Sequence, residues 1–404
     1  MKEGITSIGV FCAAAVAAAL LCPGAALRAA DWFVTPAGGG TGTQASPCSL
    51  QVALDSATDG DVIYLGAGSY TAAGNNSVAI VTHSLAVLGG WNGAASGQPE
   101  RSPGAYPSVL DGEGVARGVF VYPGLTVTLD GLTVQNGYTQ GNGAGVCATA
   151  CDLTVSNCRI LANYAHTLAG LDSYGGGLYM AGGNLTVRDT LFDQNDAWCE
   201  GCSSTYGGGL SANSVASVVV ERCDFRRNDA WLGCGLNVIG GPQDALEVRD
   251  TVFRENGLNT SVGSGYGGYA GGAYLTGVSA QVSGCLFRGN YGGNDAGAMR
   301  LGGAGLVAHV DRCWFLENIS YRTPGIQVLS GSLTLTNSVL AKNEATGALG
   351  GALHVDGEHA AVSADHVTFS ENRGQSGGYA VRAENTAVCS LHNLWVRSHS
   401  CNLS

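Results

Sequence analysis

One three-part phrase recurs through this chain and constrains its fold more than any other feature. Gly175-Gly176-Gly177-Leu178 is followed by Asn184-Leu185-Thr186-Val187 and then by Phe192-Asp193-Gln194-Asn195. It returns as Gly207-Gly208-Gly209-Leu210, Val218-Val219-Val220 and Phe225-Arg226-Arg227-Asn228, and again as Gly350-Gly351-Ala352-Leu353, Ala361-Val362 and Phe369-Ser370-Glu371-Asn372. Each unit holds three short apolar runs bounded by glycine or polar residues, the pattern of three strands and three turns. So small a unit cannot bury its apolar face alone, so copies must stack. The expected architecture is all-β: a single parallel β-helix with three strands per coil.

The units align on a closing asparagine: Asn136, Asn163, Asn195, Asn228, Asn256, Asn290, Asn318, Asn343 and Asn372. Three places before the last eight stand Ile160, Phe192, Phe225, Phe253, Phe287, Phe315, Leu340 and Phe369. Five places before stand Cys158, Thr190, Cys223, Thr251, Cys285, Cys313, Ser338 and Val367. Residues two apart on a strand share a face, so both columns point inward, giving a phenylalanine stack beside a column of small side chains. The asparagines would form an amide ladder closing one turn. Seven and six places before the asparagine, Arg188-Asp189, Glu221-Arg222 and Arg249-Asp250 alternate in sign between coils, which favours this register over slipped ones. The last unit, Val388 to Ser398, lacks the asparagine and has Trp395 in place of phenylalanine.

At the entrance, Leu50 to Ala57 has helical apolar spacing and Asp61 to Leu65 reads as a strand. A short N-terminal helix there would cap the first coil, whose β edge would otherwise be open. The expected cap spans about 31–78 and the regular coils about 125–398, within one domain over 31–404. Residues 1–30 read as an export signal: Lys2 precedes an apolar run from Ile8 to Leu21, with small residues Ala26 and Ala29 before Asp31. The expected address is therefore secreted, extracellular or on the outer cell surface, with no membrane span once the signal is removed. The net charge of −12 and only two lysines, Lys2 and Lys342, speak against nucleic acid as a partner.

Two of the 14 cysteines fall in the expected signal. Four of the rest, Cys158, Cys223, Cys285 and Cys313, belong to the inward column as small buried groups. Cys147 with Cys151 and Cys199 with Cys202 are the nearest pairs for oxidation in an exported chain. A zinc site at Cys199, Cys202 and Cys234 is the alternative, without a matched second Cys-x-x-Cys; no metal is assigned.

Gly350-Gly351-Ala352-Leu353 with Phe369-Ser370-Glu371-Asn372 resembles the paired GGA(I/L/V) and FxxN repeats of the chlamydial polymorphic outer-membrane protein family, whose members are surface adhesins. Looser copies extend the likeness over about Gly143 to Asn372. The opening, from Trp32-Phe33-Val34 through Gly60-Asp61-Val62-Ile63-Tyr64-Leu65 to Tyr70, is similar to that of secreted right-handed β-helix proteins of the pectin-lyase-like class. The resemblance implies a right-handed coil. It also implies where chemistry would sit, because polysaccharide lyases and hydrolases of that class carry carboxylates with Arg or Lys outside strand one. The corresponding positions read as Cys147, Tyr179, Ser211, Asn237, Leu275, Arg300, Gln327 and His354, without a carboxylate cluster.

Three groups remain as candidates. His354, Asp356, Glu358 and His359 are the densest polar group, either an acid–base or metal site or a solvated turn. Arg226, Arg254 and Arg288 recur two places before the asparagine in successive coils, an outward column fit for an acidic glycan or simply screened by solvent. All long insertions leave from the turn after the asparagine, and they carry Tyr164, Trp198, Tyr206, Tyr266 and Tyr269, aromatic surfaces for sugar rings or for loop packing. The reading is a non-catalytic, adhesin-like or glycan-binding module with an extracellular glycan or cell-surface component as partner and no cofactor. Calcium would need an oxygen-ligand cluster that the sequence does not display. The alternative is a polysaccharide lyase or glycoside hydrolase acting on an acidic polysaccharide.

Overall fold

The computed structural model describes residues 29–397 apart from 169, 202–203, 259–267, 348–349 and 375–378. The expected signal up to residue 28, Cys202 and Tyr266 lie outside the described residues. The chain winds as a parallel solenoid. Strand three forms one 12-stranded sheet, and strands one and two form a 22-stranded sheet. Coil stacks on coil in register: Phe192 pairs with Phe225, Phe225 with Phe253, Phe253 with Phe287 and Phe287 with Phe315. One apolar core runs the length of the stack, from Val34 to Val381.

The phenylalanine column is as expected. Successive ring centroids from Phe192 to Phe315 are 4.6, 5.0, 4.6 and 4.9 Å apart, with planes within 9° of parallel. The coil spacing of about 4.8 Å thus sets the ring spacing. Beside the rings the small column contributes bonds as well as volume. Thr190 Oγ1 donates to Arg188 O and accepts from Cys158 N, and Thr251 repeats this with Arg249 O and Cys223 N.

The asparagines from Asn163 to Asn372 form the expected ladder, all of them buried. Asn195 Nδ2 donates to Ile160 O behind it and to Asn228 Oδ1 ahead, and Asn228 Oδ1 also accepts from Asn195 N. The motif repeats through Asn343, which donates to Asn372 Oδ1. The residue before the asparagine is left-handed in coil after coil, as at Gln194, Arg227, Glu255, Glu317 and Lys342, with φ between 52 and 58°. That conformation costs roughly 1–2 kcal/mol per residue, and the side-chain bonds of the ladder hold it. The glycine phrase has its own steric cause. A Cβ on Gly177 would lie 2.5 Å from Gly209 O, and one on Gly209 the same distance from Gly235 O.

Three register details differ from the sequence reading. Gly137, not Asn136, occupies the ladder place, since its N–H donates to Asn163 Oδ1 and Val134 pairs with Ile160. In the sixth repeat the outward strand-one residue is Tyr274 rather than Leu275: Tyr274 pairs with Asn237 and Arg300. A long insertion precedes that strand and hides the one-residue offset. In the last coil Val396 stands opposite Phe369, and Trp395 points outward.

At the entrance, helix Leu50–Ser56 is capped by Ser49, whose Oγ accepts from Val52 N, and buries Leu50, Ala53 and Leu54. The charge checkerboard forms as read, with Arg188 to Glu221 at 3.1 Å and Arg222 to Asp189 at 2.8 Å, while Arg249 turns to Glu247 on its own strand. Exposed pairs of this kind are worth about 0–1 kcal/mol, so they select register more than they add stability. Of the two nearest pairs, Cys147 and Cys151 are free thiols, whereas Cys199 is disulfide-bonded and so cannot serve as a zinc thiolate.

Candidate functional site

Strand one turns alternate side chains outward, and along four successive coils these are Arg300, Gln327, His354 and Arg382. Two residues further on, Asp356 pairs with Glu384. The stacking therefore delivers Arg382 and Glu384 from the last coil directly onto the His354–Asp356 motif. His354 Nε2 lies 3.0 Å from Glu384 Oε2, and Nδ1 lies 3.2 Å from Thr323 Oγ1. Glu384 also pairs with Arg382. Burial pushes the Glu384 carboxyl up, but Arg382 and His354 more than offset this and hold it below its ordinary range. One ligand atom each from His354, Asp356 and Glu384 falls within 4.8 Å of the others, so a divalent cation has three ligands to hand. Glu358 and His359 do not join them; they sit exposed in the following turn.

Next along the face, Arg300 is ion-paired with Asp295 at 3.1 Å, and its guanidinium lies over the rings of Tyr269 and Tyr274 at 5.2 and 5.6 Å. Arg322 reaches the same carboxylate at 3.6 Å and stays more than half exposed. Gln327, between Arg300 and His354, is buried, with Oε1 lacking a partner. The face thus carries arginine, carboxylate, imidazole and tyrosine across four coils, with Gln327 and His354 buried within it. Such a patch can bind a carboxylate-bearing chain and move protons beside it.

The other sequence candidates fall elsewhere. Arg226, Arg254 and Arg288 stack in register, but each has its own acid: Asp193 at 3.0 Å, Asp224 at 2.7 Å and Glu317 at 2.9 Å. Nearby carboxylates thus offset the column, with Asp193 shared between Arg226 and Arg227. Tyr206 stacks on Tyr174 at 4.7 Å and 5°, and Tyr174 leans on Tyr179 of strand one, so these rings pack the loops to the frame. Tyr164 and Trp198 lie on a small sheet made by the insertions, where Tyr138–Thr139, Tyr164–Thr167 and Asp196–Cys199 pair in parallel.

That small sheet also brings together a pair which sequence reading missed. Asp196 and Asp229 each follow a ladder asparagine, and they sit side by side in adjacent coils. Burial pushes Asp196 up to about 7, while burial and then the neighbouring Asp196 charge push Asp229 up to about 8. The repeated Asn-Asp dipeptide was the available signal. Both acids bind protons more tightly folded than unfolded. Their contribution is therefore fully present below the ordinary carboxyl pKa near 4 and is lost as pH rises through about 7 to 8. Each group protonated only in the folded state changes stability by about 1.4 kcal/mol per pH unit across that window. The expected result is a melting temperature that falls between pH 5 and 9, with the slope flattened in the Asp196→Asn/Asp229→Asn variant. Parallel slopes in the two proteins would refute the assignment.

Residues 117–320 match the family described as right handed beta helix region. No curated protein matches the chain. Among solved structures, the chain is similar to pectate lyase Pel9A, with 14% identity, 89% of this chain and 79% of that one covered, and a TM-score of 0.42. It is also similar to the A-module of the Azotobacter vinelandii mannuronan C-5 epimerase AlgE4, with 13% identity, 92% and 100% covered, and a TM-score of 0.38.

Proposed function

The chain belongs to the family of right-handed β-helix regions, and on that frame we propose an exported carbohydrate-active enzyme, a lyase or hydrolase that acts on an acidic polysaccharide. The observation that carries this reading is the arrival of Glu384 and Arg382 beside His354 and Asp356. The sequence motif alone offered two imidazoles and scattered acids; the stacked coils supply Glu384, a carboxylate at hydrogen-bond distance from His354. In this reading Glu384 and His354 form the proton-transfer pair. Arg382, with Arg322 further along the patch, engages uronate carboxylates, and Tyr269 offers a ring to a sugar face. If a divalent cation occupies His354, Asp356 and Glu384, it neutralises the same carboxylate from the other side.

The test is turnover of pectate, alginate and other uronate polymers by the purified chain, with and without added calcium. Unsaturated ends or new reducing ends are expected. Glu384→Gln should lower the rate by about 10²–10⁴-fold, the range for removing a general acid or base, and leave the fold intact because this side chain is a third exposed. No product from any uronate polymer would sink the proposal.

A second reading keeps the protein as a non-catalytic surface module that holds an extracellular glycan or cell-surface component. Two observations favour it: the repeats resemble those of surface adhesins, and both ring nitrogens of His354 are already engaged. Binding of a uronate polymer without turnover would select this reading.

A further inference from the structure

The insertion sheet has two unlike faces. Ala165, Thr167, Ala197 and Cys199 are buried beneath it, while Tyr164, His166, Asp196 and Trp198 alternate with them and reach the surface. The outward rings run as a chain: Tyr138 to Tyr164 at 6.0 Å, Tyr164 to His166 at 5.8 Å and His166 to Trp198 at 4.5 Å. At the rim of this face is a cavity of about 290 Å³ lined by Gln194, Asn195, Asp196, Arg227, Glu255 and Leu258. That lies near the lower end of the volumes of small-molecule sites, about 300–1,000 Å³.

Two polar atoms here have no partner. Asp196 Oδ1 and His166 Nε2 are both shut off from solvent without a hydrogen bond, a costly state that native structures seldom leave unexplained. Asp196 and Glu255 line the cavity, and burial holds Asp196 and the adjacent Asp229 largely protonated up to about pH 7. The lining cation, Arg227, is bidentate to Asp193 at 2.9 and 2.5 Å. A carboxylate-bearing sugar would find no free cation among the lining residues. A neutral pyranose would meet aromatic surface for its C–H face and the edge of the Asp196 carboxyl for its hydroxyls.

We propose that this corner, with Trp198 and His166 as the platform and Asp196 at its edge, is a second binding site that takes an uncharged sugar of a glycan. It is separate from the arginine-rich strand-one patch and does not rest on that patch being catalytic.

The test is calorimetric titration of the intact chain with cellohexaose, laminarihexaose, mannohexaose and xylohexaose, set against hexagalacturonate. At least one neutral hexamer is expected to bind. Trp198→Ala should weaken that binding at least tenfold, and the near-isosteric Asp196→Asn should weaken it severalfold with the fold preserved. Glu384→Gln should leave it unchanged, which separates this site from the strand-one patch. The proposal is overturned if none of the four neutral hexamers binds. It is equally overturned if Asp196→Asn and Trp198→Ala both leave the affinity within twofold of the parent.

Discussion

Asn256→Ala is expected to destabilise the protein by about 3–6 kcal/mol, a large share of the ~5–15 kcal/mol that holds a typical domain together. Asn256 is fully buried. Its Nδ2 donates to Phe225 O and Asn290 Oδ1, both at 2.9 Å. Its Oδ1 accepts from Asn228 N and Asn228 Nδ2 at 3.1 and 3.0 Å. Truncation removes all four bonds and strands two donors where no water reaches, each at a cost of about 1–3 kcal/mol. The left-handed backbone at Glu255 then loses the bonds that hold the turn beside it. Asn256→Asp should be at least as damaging at neutral pH, because a carboxylate would face Asn290 Oδ1 and Phe225 O, and acidification should relieve part of the loss. Denaturant melts followed by hydrogen exchange would show protection lost first in the coils on either side of the substitution. An unchanged midpoint would mean that the ladder is incidental to stability.

Phe253→Ala is expected to cost about 3–5 kcal/mol, the usual range for emptying a buried aromatic site. Its ring is fully buried between Phe225 and Phe287, at 5.0 and 4.6 Å. Phe253→Leu should cost much less, since Leu340 and Ile160 already occupy the same column in other coils. Similar losses for the two variants would show that shape matching between rings, rather than filled volume, stabilises the stack.

The frame could be read from the sequence because its determinants keep fixed offsets. A large apolar residue, mostly phenylalanine, the column residue two places before it and asparagine keep their places relative to one another from coil to coil, so strand, face and register followed together. The errors came where an anchor failed. Asn136 looks like a ladder residue but sits one place early, and Tyr274 was displaced to Leu275 by the insertion before it. The site was legible only in half. His354 and Asp356 share a strand and could be found by spacing, whereas Arg382 and Glu384 come from a coil with neither the asparagine nor the phenylalanine needed to count across. The arginine column shows the reverse case. Its alignment was correct, and Asp193 stands in the same column beside Arg226, but Asp224 and Glu317, which pair with Arg254 and Arg288, lie at other places in neighbouring coils where counting along one column does not reach.

The insertions depart just after the ladder residue and rejoin at the glycines before strand one. Lengthening, shortening or rewriting that segment need not displace any stacked ring or amide. Recognition at this corner can therefore drift by mutation while the scaffold is held under separate selection, so relatives with superimposable frames are free to recognise quite different molecules.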